Sequence, residues 1–259
     1  MVPAVTVVLL CVAALAAGWV DAVVGGGGVI QLPALLVGLP NTDIASISGT
    51  NKMSSCAGTA VATGTYLSKI AVHVPTAVIV VVCAYLGSTG GAHLVQYVPR
   101  VVFTPLVGVA VAVIGVYVWR TRTLGQETHL RLSTAKHRLS AGVIGLVCGV
   151  WDGLVGPGTG IFLVLGFVVI LGYGFLPATA LAKVANLTTN IAALVVLGIQ
   201  GHVLWGLGAC MAAANVVGGA IGSRMAIAKG NSFIRKVFLV AVGLVEIKLV
   251  YDTIRLILG

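Results

Sequence analysis

The sequence predicts an all-α integral membrane protein with about ten transmembrane segments, arranged as two inverted-topology repeats of five. Three observations carry this expectation. Hydrophobic residues make up 59% of the 259 positions and charged ones only 8%, with a mean hydropathy of +1.12; a soluble domain is about one quarter charged. Turn residues cut the chain into apolar runs, several of them near the ~20 residues that a bilayer crossing needs. Finally, one stretch recurs: GWVDAVVGGGG at 18–28 is answered by GVWDGLVGPGTG at 149–160, so that Asp152 follows Asp21 by 131 positions.

The elements follow in order. Residues 3–24 are apolar, and the first Lys or Arg of the chain is Lys52, so the opening MVPAVTVVLLCVAALAAG lacks the basic start of a secretory signal and reads as a retained helix. The next run, 29–39, begins behind four glycines and is too short to cross a core of about 30 Å comfortably. Runs at 43–67, 74–96 and 100–119 complete a first repeat within 1–119. The polar stretch RTRTLGQETHLRLSTAKHR, 120–138, is a linker. The second repeat, 139–259, has runs at 139–155, 160–172, 176–199, 203–223 and 233–257, and its second run is again short and again behind a glycine loop. At the same offset of 131, Lys183 follows Lys52, Gly218 follows Gly87 and Gly222 follows Gly91, while Asn186 and Asn190 stand opposite Ser55 and Thr59. Duplication of one five-segment unit explains all of these matches.

Basic residues set the expected orientation. Arg120, Arg122, Arg131, Lys136 and Arg138 make the linker cytoplasmic by the positive-inside rule. Five crossings per half also bring Lys69 and the group Arg224, Lys229, Arg235 and Lys236 inside, with both termini outside; four crossings per half would leave that group outside. An odd number per half inverts the second repeat relative to the first, an architecture common among secondary transporters. A hairpin of two half-helices meeting at the midplane has the same parity as two full crossings.

Several function classes find no support. A formal charge of +9 in loops between apolar runs belongs to a membrane protein, so no nucleic acid partner is expected. Five cysteines stand singly in apolar segments, and five histidines are dispersed without metal-ligand spacing, so neither a metal nor another cofactor is expected. No GxxxxGK[ST] loop binds nucleotide. A membrane enzyme would need a carboxylate or histidine cluster such as DDxxD, which is absent. The expected partners are the lipid bilayer, a small anionic substrate and a coupling proton or sodium ion; the oligomeric state is left open.

The candidate site gathers around the repeated loops. A short helix starting inside the membrane turns unpaired N–H groups and about half a positive charge toward a cavity. Gly25, Gly26, Gly27 and Gly28 in the first half, with Gly156, Gly158, Thr159 and Gly160 in the second, let backbone approach a ligand closely. Close helix packing is the alternative for these glycines, and it is the preferred reading of the GxxxG pair Gly218 and Gly222. Lys52 and Lys183 lie within spans, where a lysine costs roughly 2.5–3.5 kcal/mol, and add positive charge suited to an anion. Their alternatives are snorkelling or a structural pair with Asp21 or Asp152. Gln31, Thr50, Asn51, Ser55, Asn186 and Asn190 complete the substrate-binding set as hydrogen-bonding side chains. Asp21 and Asp152 are candidates to carry the coupling proton, or else to tie down the glycine loops through local backbone bonds.

These residues resemble a known family. GGGGVIQLPALLVGLPNTDIASISGTNK is similar to the glycine loop, proline helix and A..GT segment of the sulfite exporter TauE/SafE family, also called the toluene sulfonate uptake permease group, and GFLPATALAKVANLTTNIAAL with GIQGHVLWGLG resembles the second-half counterpart. The likeness covers nearly the whole chain. It implies an inner-membrane, multi-pass carrier of sulfur oxyanions or small organosulfonates. Pro157 and Thr159 stand where the family often has glycine, and Val164 where the first half has Pro33, so the second loop is expected to bind less or differently. An uncoupled, channel-like carrier of the same fold, or a carrier of small carboxylates, is the rival expectation.

Overall fold

A computed structural model describes residues 3–94, 127–130 and 132–258; the run expected at 100–119 and linker residues Arg120, Arg122 and Arg131 lie outside the described residues. Helices account for the rest of the expected runs: α1 Ala4–Val24, α2 Gly28–Gly38, α3 Ile44–Leu67, α4 Val74–Leu94, α5 Thr134–Leu154, α6 Thr159–Leu165 widening into a π-helical stretch over Gly166–Leu171, α7 Phe175–Ile199, and α8 Trp205–Leu258, which Gly230 breaks. Four of these are long and apolar enough to cross a membrane: α1, α4, α7 and Trp205–Val237 of α8.

Local chemistry sets the boundaries. Gly25 closes α1 with φ 87°, Gly172 ends the π stretch with φ 85°, and Gly230 interrupts α8 with φ 70°, a region of backbone conformation that costs glycine nothing. The Asp43 carboxylate caps α3 by accepting from the Ser46 N–H at 2.8 Å. Two boundaries differ from the sequence expectation. Helix α5 begins at Thr134, inside the stretch read as linker, because Lys136 and Arg138 occupy its exposed first turns and there cost no burial. The runs expected at 203–223 and 233–257 are joined by helix through Arg224–Lys229, so the polar residues between them sit on helical surface up to the Gly230 break.

The short second helices fold back on the first. Gly38 of α2 faces Thr6 and Leu10 of α1, while Gly27 packs on Ala17 and Asp21, so α2 runs antiparallel to α1. Its 11 residues rise only about 16 Å. The second hairpin is built likewise: Gly166 packs on Ile144, and the Trp151 indole donates to the Pro157 carbonyl at 3.1 Å.

The hairpins open toward opposite ends of the bundle. At one end Ser46 Oγ meets His202 Nδ1 at 3.5 Å and Gln200 meets His93, which places the α1–α2 opening, the end of α4 and the α7–α8 connection together. At the other, the His129 N–H donates to the Gly172 carbonyl at 2.8 Å, Thr128 accepts from the Gly174 N–H, and Asn231 accepts from the Leu176 N–H at 2.7 Å. Thr76 Oγ1 and His137 Nε2, 3.2 Å apart, bring the start of α4 to this second end.

Glycines let the helices touch along their backbones. A Cβ on Gly87 or Gly91 of α4 would collide with the carbonyl oxygens of Leu146 or Val150 of α5. One on Gly218 or Gly222 of α8 would collide with those of Leu15 or Trp19 of α1. Adding 131 to Gly87, Gly91, Leu15 and Trp19 gives Gly218, Gly222, Leu146 and Val150, so the α4–α5 seam and the α8–α1 seam use corresponding positions.

Helix α3 has 24 residues yet is too polar to count as a span by composition. Thr50, Asn51, Lys52, Ser54, Thr59 and Thr63 are all buried. Its surroundings explain this: α3 runs through the interior, where neighbouring helices rather than lipid meet its polar side chains.

Candidate functional site

The tips of the two hairpins meet in the interior. A Cβ on Gly25, at φ 87°, would lie 2.5 Å from the Gly160 backbone, and one on Gly28 would lie 3.2 Å from Pro157 Cα. The contact therefore needs bare backbone at Gly25 and Gly160. In the second loop Gly156 and Gly158 take φ 92° and 84°, and the Thr159 hydroxyl donates to the Gly156 carbonyl at 2.8 Å, so that hydroxyl is occupied in holding the turn. Gly26 lies against the Ile161 side chain.

Two buried ion pairs flank these tips, and each crosses between the halves. Lys52 of α3 donates to Asp152 of α5 at 2.6 Å, and Lys183 of α7 donates to Asp21 of α1 at 2.8 Å. Adding 131 turns the lysine of the first pair into that of the second, and the aspartate of the second into that of the first. Lys52 also donates to Asn190 Oδ1 at 3.3 Å, and its ammonium would lie 3.3 Å from a Cβ on Gly156. Lys183 donates in addition to the backbone carbonyl of Asp21. The Asp21 carboxylate accepts further bonds from Thr59 at 3.2 Å and Asn186 at 3.4 Å. The pairs differ in access: Asp21 keeps 14% of its side chain exposed, Asp152 only 2%.

Together the four charged groups sum to zero in their ordinary ionised states. The two positive charges expected to face an anion are each balanced by a carboxylate from the opposite half. This is the pairing alternative already open in the sequence, and here both lysines adopt it.

Helix α3 sorts its side chains by face. Lys52, Thr59, Thr63 and Tyr66 point to the ion pairs and their supports: the Thr63 hydroxyl donates to the Lys183 carbonyl at 3.2 Å, and the Tyr66 hydroxyl to the Ala22 carbonyl at 3.0 Å. Thr50 turns elsewhere, donating to Ser46 at 2.7 Å and accepting from the Leu204 N–H before α8. Gln31 meets α8 instead, its Oε1 accepting from Asn215 Nδ2 at 2.8 Å, and helical spacing puts the buried Asn51 on the α3 face of Gly58, which packs on Asn215. Ser55 is half-buried on α3.

Thr59, Thr63, Tyr66 and Asn215 were not among the expected site residues. Helical spacing from Lys52 gives Thr59, Thr63 and Tyr66. Asn215 has no such signal, since its counterpart at the repeat offset is Ala84 and a search for paired positions passes over it.

Comparison with known proteins covers almost the whole chain. Residues 10–249 match the family profile described as Sulfite exporter TauE/SafE. A probable membrane transporter protein of Haemophilus influenzae is 34% identical over 250 residues, 95% of this chain and 94% of its own length. The probable membrane transporter protein YfcA of Escherichia coli K12 is 33% identical over 241 residues, covering 93% and 88% of the two chains. The probable membrane transporter protein ORF9 of a Sinorhizobium species is 34% identical over 245 residues, covering 94% and 92%. No solved structure gives a significant match.

Proposed function

Because the chain belongs to the sulfite exporter TauE/SafE family, we propose that it is a secondary transporter moving a small sulfur-containing anion across the inner membrane together with a proton. Sulfite, thiosulfate and small organosulfonates are the solutes in view. The observation that carries this reading is the crossed pairing of Lys52 with Asp152 and Lys183 with Asp21 beside the touching hairpin tips.

Charge balance supplies the mechanism. An uncompensated charge in the membrane interior is expensive, so an empty site keeps each ammonium on its carboxylate. When Asp21 or Asp152 takes up a proton, the solute anion replaces it as the lysine's partner. The loaded site then holds lysine cation, solute anion and neutral carboxyl, again with no net charge. Proton and anion therefore enter and leave together, and neither buries a charge alone. Asn186, Asn190 and Thr59 stay beside the pairs as hydrogen-bonding side chains for either partner, and the glycine tips lie against the same groups, Gly156 beside Lys52 and Gly27 beside Asp21.

Inverted repeats supply the movement. Hairpins that open toward opposite ends, corresponding glycine seams and interchangeable ion pairs all support a repeat over 1–119 and one over 139–259 that rock against each other. A displacement of one half breaks and remakes both pairs, because every pair crosses between halves. The end holding Lys69 and Arg224–Lys236 is cytoplasmic in this reading, and both termini lie outside. Single cysteines at Asn41 and Ser68, exposed at opposite ends, check this in a cysteine-free background. An impermeant thiol reagent is expected to label Asn41→Cys and spare Ser68→Cys in intact cells; the reverse pattern contradicts the orientation.

The solute class is tested by titrating purified protein with sulfite, thiosulfate, sulfate, methanesulfonate, taurine and matched carboxylates. Saturable binding of sulfur anions is expected, with the matched carboxylates weaker. Binding confined to carboxylates overturns the solute class.

A further inference from the structure

A second polar feature lies beside the ion pairs and has no polar counterpart at the repeat offset. Ile47, Asn51, Ser54 and Gly58 share one face of α3, offset from the face that carries Lys52. That face packs against Gln31 and Leu35 of α2 and Met211 and Asn215 of α8: Leu35, Ile47 and Met211 belong to one apolar cluster, and Asn215 Oδ1 occupies the space that a Cβ on Gly58 would fill. Gln31 and Ser54 are fully buried, Asn51 and Asn215 nearly so. Within this seam Gln31 Nε2, Asn51 Oδ1 and Ser54 Oγ have no hydrogen-bond partner among the described residues. Buried polar atoms left unpaired carry a desolvation penalty, so an orphaned set calls for an explanation.

The molecule contains its own control. At the repeat offset, Gln31, Asn51, Ser54 and Asn215 correspond to Phe162, Ala182, Ala185 and Ala84. Three alanines and a phenylalanine fill these corresponding positions, Ala84 in the first half and the others in the second, so the packing of these helices does not itself demand amides and a hydroxyl. Their presence on one side points to a ligand.

We propose that this seam between α2, α3 and α8 is a binding subsite for the oxyanion head of the transported solute, with Gln31 and Ser54 as donors and Asn51 closing the wall. The inference rests on the transport reading above and assigns the solute's orientation within it. Three features select an oxyanion. A sulfite or sulfonate head presents three acceptor oxygens, matching the two N–H donors of a Gln31 amide and the Ser54 hydroxyl. Asn51 is adjacent in sequence to Lys52, whose ammonium, once its Asp152 partner is protonated, attracts an anion and repels a metal cation seated nearby. The seam's own side chains are uncharged, so the charge comes from Lys52 and the shape from the seam.

The test uses the full-length protein in detergent and in vesicles, with sulfite and methanesulfonate as probes. Ser54→Ala and Asn51→Ala copy the second half, so both are expected to fold with thermal stability equal to or above the parent. Asn51→Ala, which removes part of the wall and no donor, is expected to weaken sulfur-anion binding only modestly, and Ser54→Ala about tenfold to a hundredfold, the loss of one hydrogen bond to a charged group. Gln31→Met, close in volume, is expected to do the same. Parent-like affinity in all three variants overturns the subsite and leaves the seam structural or hydrated. A changed sodium dependence with unchanged anion affinity also overturns it, in favour of a cation site. If the parent itself binds none of the sulfur anions, the solute reading fails rather than the subsite.

Discussion

Asp152→Asn is expected to destabilise the protein by about 3–5 kcal/mol, the usual cost of stripping one partner from a buried ion pair. Asp152 and Lys52 are 2% and 4% exposed, so neither water nor lipid headgroups can take over the lost charge. Asn190 accepts from Lys52 at 3.3 Å, but a neutral amide oxygen does not neutralise an ammonium. Adding Lys52→Gln to Asp152→Asn is expected to restore most of the stability, because a neutral pair of similar volume removes the orphaned charge. Thermal unfolding of the two single variants and the double variant in one detergent checks this as a double-mutant cycle. Additive losses in the double variant contradict a pair in the folded protein.

Asp21→Asn is expected to behave differently, losing less stability than Asp152→Asn while losing proton-driven accumulation by more than about tenfold. Lys183 retains the Asp21 backbone carbonyl as a partner, and an asparagine turned with its oxygen toward Lys183 and Thr59 keeps those two bonds while losing the one from Asn186. An asparagine mimics the protonated carboxyl and cannot release a proton. Anion exchange across the membrane therefore continues, since the solute can still take the place beside Lys183, while a pH gradient no longer drives net uptake. Lys183 is fully buried, so Asp21→Asn also leaves an ammonium without its counter-charge; the loss is expected to be smaller than at Asp152 because Asp21 is 14% exposed and its backbone carbonyl stays on Lys183.

The helical runs were legible because a bilayer imposes a length and a composition that the sequence displays directly. Every expected run within the described residues is helical, and the starts of α2 and α6 are marked by the glycines that let Gly25 and Gly160 touch. The pairing of Lys52 with Asp152 was less legible. Composition and spacing placed these residues in spans and in corresponding positions, but a choice between partners within a half and partners across halves depends on tertiary packing. Thr134–Arg138 was misread as linker because charge is a signal for loops only in aggregate, and a helix end can project charged residues beyond an apolar slab. Asn215 was invisible to a reading based on repetition, since asymmetry between the halves is what sets it apart. Gln31 and Asn51 were placed in the site for their chemistry, yet they face the α8 seam rather than the ion pairs.

The most direct test of proton–anion exchange at the crossed pairs is lumenal pH in proteoliposomes carrying a trapped pH dye, recorded as methanesulfonate or sulfite is added outside. The account predicts saturable lumenal acidification with the parent, in step with anion entry and unaffected by an imposed membrane potential, and its loss with Asp21→Asn under conditions where labelled anion still exchanges. Anion entry without proton movement in the parent, or potential-driven entry of the anion alone, contradicts it.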